Sequence, residues 1–244
     1  MYVRLKHTLS ALTLEAISAP SEARFVPWLR GYAEVARAGE AVPLSRARAA
    51  SRAFAAPFGW RVSMRDLVPL VGRRLLWRGS RRLALPRAYR PFWTYVQSQA
   101  LRMYRAVLHL VRHPRHPTLP DEFYRGLVLF DCGLFFACHE YFEGLWRAAP
   151  EGDRALYQGL VQVAAAFYHH EKGNRHGAVT LWRRARSRLE PYRPGVRGLD
   201  VDRILRALEP WEARFAQGEA GSPPQFVVQS EQCRAILVGS QEGP

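Results

Sequence analysis

His139 and Glu143 stand four residues apart in the stretch His139-Glu140-Tyr141-Phe142-Glu143-Gly144-Leu145-Trp146. On a helix, that spacing sets an imidazole and a carboxylate on one face, one turn apart. Phe135, Phe142 and Trp146 share this face, so the pair is predicted to lie in the interior, poorly solvated. A polar pair in such a place must find partners or shift its ionisation. It can hold a divalent metal, serve as a general base, or be bonded for stability alone. Two ligands fall short of the usual three or four. The second histidine of His-Glu-x-x-His is missing, which excludes a zincin. Glu140 is expected to point about 100° away from His139 and to be solvated. His169-His170-Glu171 with His176 is a weaker metal cluster, because adjacent histidines face different sides of a helix.

These residues need helices to position them. One helix is expected over 121–148, a second over 154–172 with Asp153 as its N-cap, and a third over 176–189. The breaks fall at Pro150-Glu151-Gly152 and at Gly173-Asn174, and Pro191 and Pro194 follow the third. Short connections make neighbouring helices antiparallel. Folding the second back on the first brings Gln162 beside His139, Gln158 beside Glu143, and His169 beside Asp131. Two polar layers result: His139, Glu143, Gln158 and Gln162 in one, Asp131 and His169 in the other. Trp146, Trp182 and Tyr192 are read as core or rim aromatics. One more helix is expected over 202–215, and 225–228 and 235–238 are β-prone pieces or tail.

The pattern Asp131-x-Gly133-x-Phe135-Phe136-x-x-His139-Glu140-x-x-Glu143-x-x-Trp146, then Gln158-Gly159-Leu160, His169 and Gly173-Asn174, resembles the bacterial and archaeal family called domain of unknown function 309. The resemblance covers residues 121–192. Its hallmark is His-x-x-x-Glu-x-x-Trp or Tyr. What it implies is a helical bundle with a suggested metal site at His139 and Glu143, and no assigned reaction. Asp131 departs from the asparagine more often found there and adds a negative charge to the second layer. Nothing carries over to the preceding half.

That half differs in kind. Residues 1–120 hold 21 Arg or Lys against 5 Asp or Glu, whereas 121–244 hold 15 against 16. Lys6 and Lys172 are the only lysines. Helices are expected over 22–37, interrupted near Pro27 and Gly31, over 46–54 with Ser45 as N-cap, and over 64–78 behind a Ser63–Asp66 capping box. The longest is expected over 86–112. Phe58-Gly59-Trp60 is read as a turn. The run His113-Pro114-Arg115-His116-Pro117 breaks the chain. Residues 1–15 are read as short apolar patches with a few charges, not as a signal peptide. Trp60, Trp77, Tyr89 and Trp93 lie among arginines. Such a surface suits nucleic acid or another polyanion, bound through 1–115. Equally, arginine stems can cover a bundle that packs on the C-terminal domain and needs no partner.

The net charge of +15 speaks to anionic partners, not to fold. A hydrophobic fraction of 48% provides for a core, and no run is long enough to span a membrane. Cys132 and Cys138, six apart on an expected helix, are too distant for a disulfide, and the three cysteines fit a reducing cytoplasm. Cys-x-x-Cys is absent, which excludes a zinc ribbon. The expected fold is all-α: an Arg-rich helical region over 1–118, an antiparallel bundle over 119–195, and a C-terminal helix and tail over 196–244. A bundle of about 70 residues has a marginal core, so it should lean on the N-terminal half or on a second copy in a homo-oligomer. The function classes left open are a non-catalytic structural or binding protein, a metal-dependent or general-base enzyme using His139 and Glu143, and a nucleic-acid or anion binder.

Overall fold

The computed structural model describes residues 1–228. They form two compact units, Met1–Pro114 and a second that begins at Arg115. The described residues are predominantly α-helical, with one small sheet.

The first unit opens with α1 (Tyr2–Ser18), in the stretch read as apolar patches. Leu5, Leu9, Leu12 and Ala16 recur at helical spacing and are all buried. In α2 (Val26–Val35), Pro27 starts the helix instead of interrupting it, because it lacks an N–H and a first-turn N–H would have no partner within the helix in any case. Gly31 lies inside α2, where a Cβ would stand 2.6 Å from the Ser51 nitrogen, so its bareness lets α3 (Leu44–Ala55) approach. Pro43, not Ser45, precedes α3. The Ser63 capping box is present, with Asp66 accepting from the Ser63 N–H at 2.7 Å. It opens only a 3-10 turn, Met64–Leu67, and α4 (Val68–Gly72). The expected helix to 78 fails because Arg74 turns left-handed at φ 55° and both Leu75 and Leu76 donate back to the Leu70 carbonyl. The chain then forms strands: β1 (Val42–Pro43), β2 (Trp77–Arg78) and β3 (Arg82–Ala84) pair antiparallel in the order β1-β3-β2, with Val42 opposite Leu83 and Trp77 opposite Ala84. Gly79 and Ser80 turn a hairpin, not a helix end. A 3-10 stretch, Arg87–Phe92, leads into α5 (Trp93–Arg112), which buries Val96, Met103, Val107 and Leu110. Trp28 and Tyr32 are fully buried, and their polar atoms are met: the indole donates to the Ser63 carbonyl and the phenol to that of Glu40.

In the second unit the single helix expected over 121–148 is two, α6 (Asp121–Asp131) and α7 (Phe135–Ala148). Gly133, left-handed at φ 73°, makes the break. Gly126 lets α7 close on α6: the Phe142 ring lies where a Cβ would sit, and the Cys138 thiol donates to the Gly126 carbonyl at 3.4 Å. Cys132 and Cys138 are both buried. Pro150, not Asp153, precedes α8 (Glu151–Glu171), and Asn174 caps α9 (Arg175–Leu189) through the Gly177 N–H. Leu189 fills the space over Gly159, fixing α9 on α8. Pro210 divides the helix expected over 202–215 into α10 (Val201–Leu208) and α11 (Trp211–Gln217). Phe130, Phe135, Phe167 and Phe215 join α6, α7, α8 and α11 through ring contacts of 4.9 to 5.3 Å. Segment 226–228 forms no strand but lays Phe226 against Phe130. The β-prone piece expected at 235–238, and Cys233, lie outside the described residues.

Candidate functional site

Position on the α7 wheel separates the phenylalanines of the stripe from its polar residues. Successive side chains turn by about 100°. Taking Phe135 as the centre of the buried face, Phe142 falls within about 20° of it, His139 about 40° to one side, Glu143 about 80° and Glu140 about 140°. Phe135 and Phe142 are accordingly buried, at 6% and 2% exposure. The His139, Glu140 and Glu143 side chains are 28%, 30% and 26% exposed. The stripe is therefore interior at its phenylalanines and half-open at its polar residues and at Trp146. The fully interior pair expected from sequence is corrected in that respect.

The three polar side chains fan along one flank, and one ligand atom from each lies within 4.8 Å of the others. Glu140 belongs to this group and does not stand apart in solvent. A glutamate has enough length to swing back along its helix, which the wheel angle alone does not express. His139 Nδ1 is closed off from solvent and makes no hydrogen bond. Glu140 Oε1 is 3.5 Å away, near it but not bonded to it. Phe136 lies parallel to the imidazole at 6.0 Å. Glu143 accepts from the Arg147 guanidinium at 2.7 Å, one turn on. Arg147 is 70% exposed, so this pair is weak and can open.

The neighbouring helix runs antiparallel to α7, with Phe135 against Phe167 and Phe136 against Tyr168. That register sets His139 level with the Val163–Ala165 turn and Glu143 level with the Gly159–Val161 turn. The glutamines of α8 have another partner. Arg188 of α9 donates to Gln158 Oε1 at 2.8 Å and to Gln162 Oε1 at 3.3 Å. Gln162 is 9% exposed, so its carbonyl depends on this arginine. Sequence reasoning missed Arg188, one of several arginines on a helix read only for its aromatic residues.

Asp131 and His169 have partners of their own. His169 Nδ1 is 2.8 Å from the Asn174 amide nitrogen in the turn after α8. Asp131 accepts from the backbone N–H groups of Phe226, Val227 and Val228 at 2.7 to 3.0 Å. Burial raises its carboxyl from 3.8 to about 6, against the lowering effect of those three donors and of Arg203. These donors lie more than ninety residues downstream, and no local signal in the sequence announces them.

Chemically, the α7 flank offers one imidazole nitrogen and two carboxylates. With three protein ligands, a divalent ion such as Zn²⁺ or Mn²⁺ would keep positions for water or a ligand.

Residues 123–181 match the model of a family described as a domain of unknown function, DUF309. This segment runs from α6 into α9 and contains the whole flank. An uncharacterized protein of Bacillus subtilis (strain 168), YpuF, is 35% identical over 78 residues, which is 31% of this chain and 45% of YpuF. The chain thus spans less than half the length of the curated relative it matches. No solved structure matches. No helix of the described residues is long and apolar enough to cross a membrane.

Proposed function

We propose that the second unit is a divalent-metal-binding helical module, with His139, Glu140 and Glu143 as its protein ligands. The observation that carries this reading is the Nδ1 atom of His139. A buried nitrogen without a hydrogen bond costs about 1–3 kcal/mol; Glu140 Oε1 lies 3.5 Å from it, and one ligand atom each from His139, Glu140 and Glu143 lies within 4.8 Å of the others. A cation removes that cost and balances both acids. Held there, it would act as a Lewis acid on a carbonyl or phosphoryl oxygen. The chain's own contribution is to fix the imidazole ring against Phe136, to keep water from Nδ1, and to release Glu143 from the exposed Arg147 when an ion arrives.

The test is calorimetric titration of tag-free protein with Zn²⁺, Mn²⁺ and Ni²⁺. Stoichiometric binding is expected for at least one ion, lost in His139→Ala and weakened in Glu140→Gln and Glu143→Gln. If none of the three ions binds, or if His139→Ala binds like the wild type, the reading fails.

A second reading concerns the first unit and rests on its charge, 20 Arg or Lys against 5 Asp or Glu over residues 1–114. Such an excess supports attraction of a polyanion such as nucleic acid. Its affinity should fall steeply with salt, since phosphate contacts release counterions.

A further inference from the structure

We propose that the first unit holds a binding site for a small anionic amphiphile, a single apolar body carrying one carboxylate or phosphate. The site is a cavity of about 680 Å³ between the start of α1, the turn after α4, β2 and the 3-10 stretch before α5. That size falls within the range of small-molecule sites. Val71, Leu76 and Pro86 supply an apolar wall. Trp77 stands at the cavity with 57% of its surface exposed, an unusual state for an indole. Its ring lies over Gly79, with its edge 2.7 Å from where a Cβ on that residue would sit.

Charge identifies the head group. Arg4, Arg74 and Arg78 line the cavity, and no acidic residue does. Three other arginines of this unit are matched to acceptors: Arg73 to Glu15 at 2.6 Å, Arg30 to Glu34 at 2.6 Å, and Arg82 to the Ala41 carbonyl at 3.0 Å. The guanidinium groups of Arg4, Arg74 and Arg78 make no ion pair or hydrogen bond among the described residues. Three unpaired cations beside an apolar wall favour one anionic group with a hydrocarbon or aromatic tail, since the tail gains by leaving water and the head by reaching arginine.

The backbone gives independent support. Arg74 is left-handed at φ 55°, a costly state for a residue with a Cβ. It is held by its own N–H on the Val71 carbonyl at 2.9 Å and by the two following N–H groups on Leu70. Non-glycine strain of this kind, over-determined by its surroundings, tends to gather at ligand sites. Here it turns one of the unpaired guanidinium groups to the cavity wall.

The experiment measures binding of dodecyl phosphate and dodecanoate, below their micelle concentrations, to the full chain. Dodecanol, inorganic phosphate and phosphatidylglycerol vesicles serve as comparison arms. Saturable binding of either amphiphile is expected, with dodecanol and inorganic phosphate each at least about tenfold weaker. Arg4→Gln with Arg78→Gln should weaken binding about tenfold and flatten its salt dependence. Trp77→Ala should weaken it comparably, and Arg61→Gln, exposed and outside the cavity, should leave it unchanged. Amide resonances of Arg74, Trp77 and Tyr89 should shift on saturation, which locates the ligand independently of any variant. Equal affinity for dodecanol and dodecyl phosphate overturns the proposal, as does insensitivity to the Arg4 and Arg78 substitutions. Binding to vesicles alone would assign the surface to a membrane, and would equally overturn it.

Discussion

Asp131, the last residue of α6, accepts the N–H of Val227 at 2.7 Å and so ties a segment 96 residues downstream to the bundle. The neighbouring donors Phe226 and Val228 complete the enclosure. The carboxyl is nonetheless raised to about 6, because desolvation outweighs the donors. A raised acid group binds its proton more tightly in the folded than in the unfolded chain. Its stabilising contribution is therefore fully present below about pH 3.8 and is lost as pH rises through about 6. Asp131→Asn removes that titration. Its stability relative to the wild type should climb between pH 4.5 and 8 by about 2 kcal/mol, the part of a shift of roughly two units that falls in this window. Urea unfolding of both proteins at the two pH values measures this, and a constant difference would mean that the carboxyl titrates as it does in the unfolded chain.

Gly126→Ala should be among the most destabilising single-methyl additions in the second unit. The new Cβ would meet the Phe142 ring at 2.1 Å, with the ring fully enclosed at 2% exposure. Overpacking of this kind costs typically about 1–3 kcal/mol, and the displaced ring adds to it. Gly144→Ala is the control, since nothing lies within 4 Å of its added carbon and helix propensity favours alanine. Thermal melts should show a lowered midpoint for the first and an equal or raised midpoint for the second.

Arg188→Ala should destabilise the α8–α9 contact by about 1–3 kcal/mol, because it strands the Gln162 carbonyl in a buried position. Gln162→Leu made on that background should recover part of the loss, since an apolar side chain needs no donor. A double-mutant cycle on the two positions should give a coupling above about 0.5 kcal/mol. Additive losses would mean that the arginine acts through its stem alone.

Legibility in the sequence followed the range of the interaction. The α7–α8 and α8–α9 turns were readable because Pro150 and Gly173-Asn174 act locally. The Ser63 capping box was readable too, yet its helix stops at Gly72, where the backbone of Arg74 and the hydrogen bonds of Leu70 take over. Residues 64–78 carry a helical pattern of apolar residues, and only the pairing of Trp77 with Ala84 turns their end into a strand. The first helix lies in the spacing of Leu5, Leu9, Leu12 and Ala16, although the residues around them read as short apolar patches. At the candidate site, wheel angles placed His139 and Glu143 together and set Glu140 apart, because they record where a side chain starts and not how far it reaches. The clasp on Asp131 and the arginine on Gln158 and Gln162 come from distant parts of the chain, beyond any periodicity.

The metal-free behaviour of His139 and Glu143 provides the final test of the flank. Their side chains meet different groups: Glu143 is paired with Arg147, and His139 Nδ1 makes no hydrogen bond, with Glu140 Oε1 3.5 Å away. Without added metal, His139→Ala removes an unsatisfied nitrogen together with a ring that packs on Phe136, so gain and loss partly cancel. Glu143→Ala breaks a helical ion pair worth about 0.3–0.5 kcal/mol. The two effects should add within about 0.5 kcal/mol, since neither residue supports the other directly. A bound ion changes this. At a hundred times its dissociation constant it stabilises the fold by about 2.7 kcal/mol, and each single substitution should abolish most of that gain. The double variant then has nothing further to lose, and a coupling of about 2 kcal/mol should appear only in the presence of Zn²⁺ or Mn²⁺. Denaturant titrations of the four proteins, with chelator and with metal, give both cycles. Coupling already present in chelator would identify a structural network, and additivity in both conditions would mean that the two residues share a helix face and nothing more.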